Sequence, residues 1–137
     1  MSTLAVSTFG PSDAGPALLA IHGITANGQS WQTVATHLPQ RRVLAPDLRG
    51  RGRSNALPGP YGLRQHATDL AALLDADGRG ARIVLGHSMG AFAAVALAAA
   101  RPDLVARLVL VDGGFPLKLP ADATSAEDLD IGALLGP

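Results

Sequence analysis

The segment Gly86-His87-Ser88-Met89-Gly90 carries the strongest chemical signal in this 137-residue sequence. A serine flanked by glycines at two residues on either side fits G-x-S-x-G, the pattern of a nucleophile raised on a sharp strand-to-helix turn. The context agrees. An apolar run, Arg82-Ile83-Val84-Leu85, precedes the motif, and a helical repeat of apolar residues follows it. So tight a turn forces the serine into a strained backbone conformation and requires small neighbours, hence Gly86 and Gly90. The helix beneath offers free N–H groups and the positive end of its dipole. The competing reading is a chance match in a glycine-rich chain; the strand before and the helix after favour Ser88 as a nucleophile.

Acyl transfer to a serine needs two hydrogen-bond donors aimed at the developing oxyanion. One is the N–H of the residue after the nucleophile, Met89. The other comes from the loop after an adjacent strand, where His22-Gly23-Ile24-Thr25 follows Leu18-Leu19-Ala20-Ile21; Ile24 is the candidate. His22 could be a catalytic base, but a histidine at a strand end more often holds its loop by hydrogen bonds. Trp31, Phe92 and Phe115 are candidates for an acyl pocket and equally for core. A third motif is Asp47-Leu48-Arg49-Gly50-Arg51-Gly52-Arg53-Ser54. Its three arginines could bind phosphates or RNA. No aromatic residues interleave and no dinucleotide or P-loop fingerprint is present, so a structural loop beside the site is the better reading.

The elements that must position these groups follow from periodicity. Leu18–Ile21, Arg42–Ala45, Arg82–Leu85 and Leu108–Val111 are continuous apolar runs. Such runs read as strands buried on both faces, in a parallel sheet covered by helices. Helical spacing appears at Trp31, Val34, Ala35 and Leu38, with Ser30 as N-cap, and at Ala67, Leu70, Ala71 and Leu74, closed by Asp77-Gly78. It recurs at Met89, Phe92, Ala93, Ala96, Leu97 and Ala100, closed by Pro102. Alternating strands and helices predict an α/β three-layer sandwich with a mostly parallel sheet. A weaker strand, Leu4 to Phe9, could pair antiparallel at one edge. Residues 1–115 read as one domain, and residues 116–137 as the start of a lid or linker with a short apolar patch at Ile131–Leu135.

Composition narrows the function classes. With 47% hydrophobic residues and 16% charged, disorder is excluded. Eleven basic and eleven acidic residues give no net charge, which argues against nucleic acid as a partner. Without cysteine there is no disulfide scaffold, thiol nucleophile or Cys-ligated zinc. The histidines and carboxylates have no metal-ligand spacing, and no cofactor is implied. The longest apolar stretch, Ala91 to Ala100, is ten residues, about half a membrane span. The N-terminus has no basic run followed by an apolar stretch, so a cytoplasmic protein with no signal peptide and no membrane partner is expected.

His22-Gly23, Asp47 to Ser54, Gly86 to Gly90 and Leu108 to Gly113 occur in an order and spacing that resemble the α/β-hydrolase fold family, across residues 4–115. The resemblance implies Ser88 as nucleophile and the Ile24 and Met89 amides as oxyanion hole. Serine at this position is similar to the esterase, lipase, carbon–carbon hydrolase and perhydrolase branches, and unlike the branches that carry aspartate. The implied activity is hydrolysis of a small carboxylic ester or related acyl substrate through an acyl-Ser88 intermediate. In the family the acid and then the histidine follow the serine in sequence. Here His22, His37, His66 and His87 all precede Ser88. The sequence therefore resembles the N-terminal portion of such an enzyme, truncated after the family's sixth strand, and the fragment itself is expected to be inactive. Asp112 is the candidate acid; it also reads as a polar residue closing a strand in a Val-Asp-Gly-Gly turn. Left without its neighbour, the Leu108–Val111 strand would be an exposed apolar edge open to self-association. The alternative to an enzyme is a truncated or degenerate domain acting through protein–protein contacts.

Overall fold

The computed structural model describes residues 3–115. Five strands, β1 (Val6–Phe9), β2 (Leu18–Ile21), β3 (Val43–Pro46), β4 (Arg82–His87) and β5 (Val105–Val111), form one sheet in the order β1-β3-β2-β4-β5. β1 runs antiparallel to β3 at one edge, and the other pairs are parallel. Both the weak first strand and the parallel sheet match the sequence reading.

Three helices cover the sheet: α1 (Gln32–Thr36), α2 (Leu63–Asp77) and α3 (Met89–Ala100). Two apolar clusters divide its faces. Alternate residues of β2 separate cleanly: Leu19 and Ile21 pack with Leu70 and Leu74 of α2 and Ala93, Ala94 and Leu97 of α3. Leu18 and Ala20 pack with Trp31 and, more loosely, with Ala35 and Leu38. The two-residue period of a strand thus becomes three layers. Gly78, at φ +67°, ends α2 in the left-handed conformation that glycine adopts without penalty. Arg101-Pro102 ends α3, since the residue before proline is driven out of the helical region.

One expectation needs correction. The helix expected at Trp31–Leu38 is only five residues long, preceded by a 3-10 turn at Gly28–Trp31. Asn27, not Ser30, caps that turn: its Oδ1 accepts the Gln29 N–H at 2.9 Å, while the Ser30 hydroxyl donates to the Asn27 carbonyl from inside the turn. Pro39 makes Leu38 a poor helical residue, which shortens α1. β2 and β3 are buried at every position. β5, whose apolar run alone reads as covered but which without a further neighbour is expected to be an exposed edge, takes the second form: Leu108, Val109 and Val111 are 36%, 44% and 46% exposed. Among the described residues β5 and β1 are the two edge strands. The lid-or-linker reading of residues 116–137 lies outside the described residues.

Candidate active site

The turn from β4 into α3 holds Ser88 at φ 54°, ψ −119°, a conformation that non-glycine residues rarely adopt. Such strain costs about 1–3 kcal/mol and persists only where the surroundings enforce it. They do so here. A Cβ on Gly86 would lie 2.4 Å from the Gly90 carbonyl oxygen, and one on Gly90 would lie 2.2 Å from that of Ile21. Bare backbone is therefore what lets α3 approach both its own strand and the end of β2. The Ser88 N–H donates to the Val111 carbonyl at 2.9 Å, which ties the elbow to β5. Ser88 itself is partly exposed.

The loop after β2 lies against this elbow. A Cβ on Gly23 would sit 3.4 Å from the Ser88 Cβ. His22 is 1% exposed, and both of its ring nitrogens are engaged. Nε2 accepts the Leu48 N–H at 2.9 Å, which leaves the proton on Nδ1 to be donated to the Gly23 carbonyl at 2.6 Å. Burial pushes the His22 pKa down, the Gly23 bond and the Asp47 charge oppose it, and Arg51 adds to the depression; the net shift is downward. His22 is therefore a neutral strut for the loop and has no nitrogen free to act as a base. Gly23 O also accepts the Ala26 N–H at 3.1 Å, and Ile24 O accepts Arg51 Nε at 2.8 Å. The Ile24 N–H has no acceptor among the described residues. The Met89 N–H is the first of α3, with no preceding turn to receive it.

The arginine-rich loop after β3 is tied down residue by residue. Asp47 is its hub, accepting the Gly28 N–H at Oδ1 and the Arg53 N–H at Oδ2, each at 2.8 Å. Burial alone would raise the Asp47 pKa, but these bonds and the Arg53 guanidinium outweigh it and hold the carboxyl below its usual range. Arg49 pairs in bidentate fashion with Asp69 of α2, both contacts at 2.8 Å. Arg53 Nη2 donates to the Ser7 hydroxyl of β1 at 3.0 Å. Each of the three arginines has a partner within the chain, as a structural loop requires. Sequence reasoning placed the loop correctly but missed its partners. Asp69 and Ser7 lie far away in sequence, so no local spacing announces them.

A cavity of about 280 Å³ opens beside the elbow, lined by Ser30, Trp31, Val34, His87 and Val111. Trp31, one of the acyl-pocket candidates, is among its lining residues. Phe115 does not line this cavity and is 69% exposed. Asp112 follows Val111 at φ +55°, is exposed, and makes no hydrogen bond to a described histidine. His66 is fully buried in α2 with neither ring nitrogen hydrogen-bonded among the described residues. No described histidine contacts the Ser88 hydroxyl by a hydrogen bond. Among the described residues no helix is long and apolar enough to cross a membrane.

Residues 16–136 match the family described as alpha/beta hydrolase fold. A lipase, LipV of Mycobacterium tuberculosis, is 50% identical over 110 residues, covering 80% of this chain and 41% of the lipase. Among solved structures, a thermophilic esterase from Thermogutta terrifontis superposes with a TM-score of 0.70 at 35% identity, over 78% of this chain and 39% of that one. The thioesterase domain from the curacin biosynthetic pathway reaches 0.73 at 35% identity, over 87% and 44%. The chain spans about two-fifths of the length of these relatives.

Proposed function

The chain belongs to the α/β-hydrolase fold family, and from that premise we propose that it carries the nucleophile and oxyanion hole of a serine hydrolase for small carboxylic esters or related acyl compounds. The observation that carries the proposal is the backbone of Ser88, held at φ 54° between two glycines that cannot accept a Cβ. Ser88 Oγ attacks the acyl carbonyl carbon, and its proton passes to a base. The carbonyl oxygen becomes an oxyanion held by the Ile24 and Met89 N–H groups. The carbon–oxygen bond to the alcohol then breaks, leaving acyl-Ser88, which water hydrolyses. The cavity walled by Trp31, Val34 and Val111 would receive the acyl chain. No histidine follows Ser88 in the sequence, and the four that precede it are not joined to it. The base is therefore assigned to residues outside these 137, with Asp112 as the candidate acid within them. As it stands the chain is expected to turn over poorly. The protein is proposed to act in the cytoplasm, and names such as lipase, esterase and thioesterase among its relatives support the acyl-substrate class.

The test is covalent. In the full-length protein, which supplies the base, a fluorophosphonate should add one phosphonyl group to Ser88 with loss of fluoride, found by peptide mass spectrometry and abolished in Ser88→Ala. Labelling that survives Ser88→Ala, or none in the full-length wild type after prolonged incubation, overturns the assignment.

The second reading, a non-catalytic domain acting through contacts, is favoured by one observation: the exposed apolar residues of β5, with Val109 at 44% and Val111 at 46%. In that reading two copies join edge to edge through β5, extending the sheet.

A further inference from the structure

We propose that Arg51 is a positioning residue, clamping the loop so that the Ile24 N–H points at the oxyanion formed on Ser88; this rests on the reading of Ser88 as nucleophile. The Ile24 side chain is 58% exposed, so packing does little to anchor it. Hydrogen bonds must hold the loop instead, and they grip both peptide units that flank the Ile24 Cα. The first unit joins Gly23 to Ile24. Its carbonyl accepts from His22 Nδ1 and from the Ala26 N–H. In a trans peptide the carbonyl and the N–H point in opposite directions, so fixing Gly23 O on one side aims the Ile24 N–H to the other.

The second unit joins Ile24 to Thr25. Its carbonyl receives Arg51 Nε at 2.8 Å. Arg51 is braced in turn: Nη1 reaches the Arg49 carbonyl at 3.3 Å, and Arg49 is locked to Asp69 by two 2.8 Å contacts. A continuous line of bonds thus runs from α2 through the loop after β3 to the loop after β2. With both units held, neither φ nor ψ of Ile24 is free. Without Arg51 the second unit can rotate, which displaces Thr25 and Ala26, loosens the Ala26 N–H bond to Gly23 O and so frees the first unit that aims the Ile24 N–H. Donors stabilise an oxyanion through being fixed before the charge appears, so this loss weakens acyl transfer without removing any group that touches substrate. Arginine suits the task because its planar fork serves two carbonyls at once, whereas a lysine ammonium is a single point charge.

The experiment compares wild type, Arg51→Gln and Arg51→Lys, with Ser88→Ala as the control for the nucleophile. All are made in the full-length protein, which supplies the base. Two quantities are read: the rate of fluorophosphonate labelling of Ser88, and the hydrogen-exchange rates of the Ala26 amide, bonded to Gly23 O, and of the Ala91 amide, bonded to Ser88 O. Arg51→Gln should slow labelling by about tenfold and speed Ala26 exchange by about tenfold, the size of one charge-assisted hydrogen bond. Ala91 exchange and Tm should not move, and Arg51→Lys should recover part of the rate. Unchanged labelling and unchanged Ala26 exchange in Arg51→Gln overturn the proposal while leaving Ser88 intact as nucleophile. Wild type that takes no label refutes the nucleophile reading, and Ala26 exchange then still decides whether Arg51 holds the loop. A fall in Ala91 protection as large as that at Ala26, or a lower Tm, would make Arg51 a general structural residue and also overturn the proposal.

Discussion

Replacing Gly90 by alanine sets two physical effects of opposite sign against each other. Gly90 is the second residue of α3. Helix propensity favours alanine over glycine by at most about 1 kcal/mol, and by less this close to a helix end. Packing says the reverse. The added carbon would lie 2.2 Å from Ile21 O and 2.6 Å from His22 O. To restore even a tight contact of 3.0 Å, the end of β2 and the start of α3 must part by about 0.8 Å. Both obstacles are main-chain oxygens, so no change of rotamer relieves them. Overpacking costs about 1–3 kcal/mol where neighbours can yield, and this case belongs at the upper end. Packing wins: the net expectation is a destabilisation of about 2 kcal/mol. Urea unfolding followed by circular dichroism should show a lower midpoint with an unchanged slope. Thermal melting should fall by about 6–10 °C in a chain of this size. Gly62→Ala is the control, because nothing lies within 4 Å of its Cβ position; it should stay within about 0.5 kcal/mol of wild type. If Gly90→Ala proves as stable as wild type or more so, α3 does not touch the end of β2, and the steric basis of the elbow is wrong.

Other consequences follow from burial and from the open edge. Burial lowers the pKa of both His22 and His66, helped at each by the charge of Arg51; Asp47 opposes it at His22 and Asp69 at His66. Above the ordinary imidazole pKa of about 6.5 both are neutral, folded or unfolded. Below it the unfolded chain binds protons that the folded chain refuses, so stability falls as pH drops from about 6.5 toward the depressed folded values. The unfolding midpoint in urea should decline between pH 7.5 and 5.5, and His66→Leu should flatten part of that slope; a level wild-type profile contradicts the burial account. For the β5 edge, sedimentation at about tens of micromolar, where exposed edges matter, should show wild type associating and Val109→Lys monomeric, since a charge on an edge strand blocks pairing. A monomeric wild type removes the edge-pairing reading.

Much of the site was legible because the constraints that build it are local. Ser88 announces itself because the elbow demands glycine at both flanking positions. β2 and β3 are readable because a strand covered on both faces has no polar residue to spare. α2 is readable because its apolar period of 3.6 ends at a glycine. The illegible parts depend on what is distant in sequence. Nothing local distinguishes Ser30 from Asn27 as a cap until the chain is seen to turn at Gly28. The continuous apolar run of β5 looks like that of β2, yet whether its faces are covered depends on its neighbours in the sheet. The pairing of Arg49 with Asp69, and the grip of Arg51 on the Ile24 carbonyl, join segments separated by 20 and 27 positions. The His22 tautomer is set by the Leu48 N–H, 26 positions away.

The central claim is that the Ser88 hydroxyl stands before the Ile24 and Met89 amides. A crystal structure of the phosphonylated protein measures this directly. The account predicts phosphorus bonded to Ser88 Oγ and the phosphoryl oxygen within about 3.2 Å of both amide nitrogens, a hydrogen-bonding distance. A phosphoryl oxygen turned into solvent, with neither amide in reach, would contradict it.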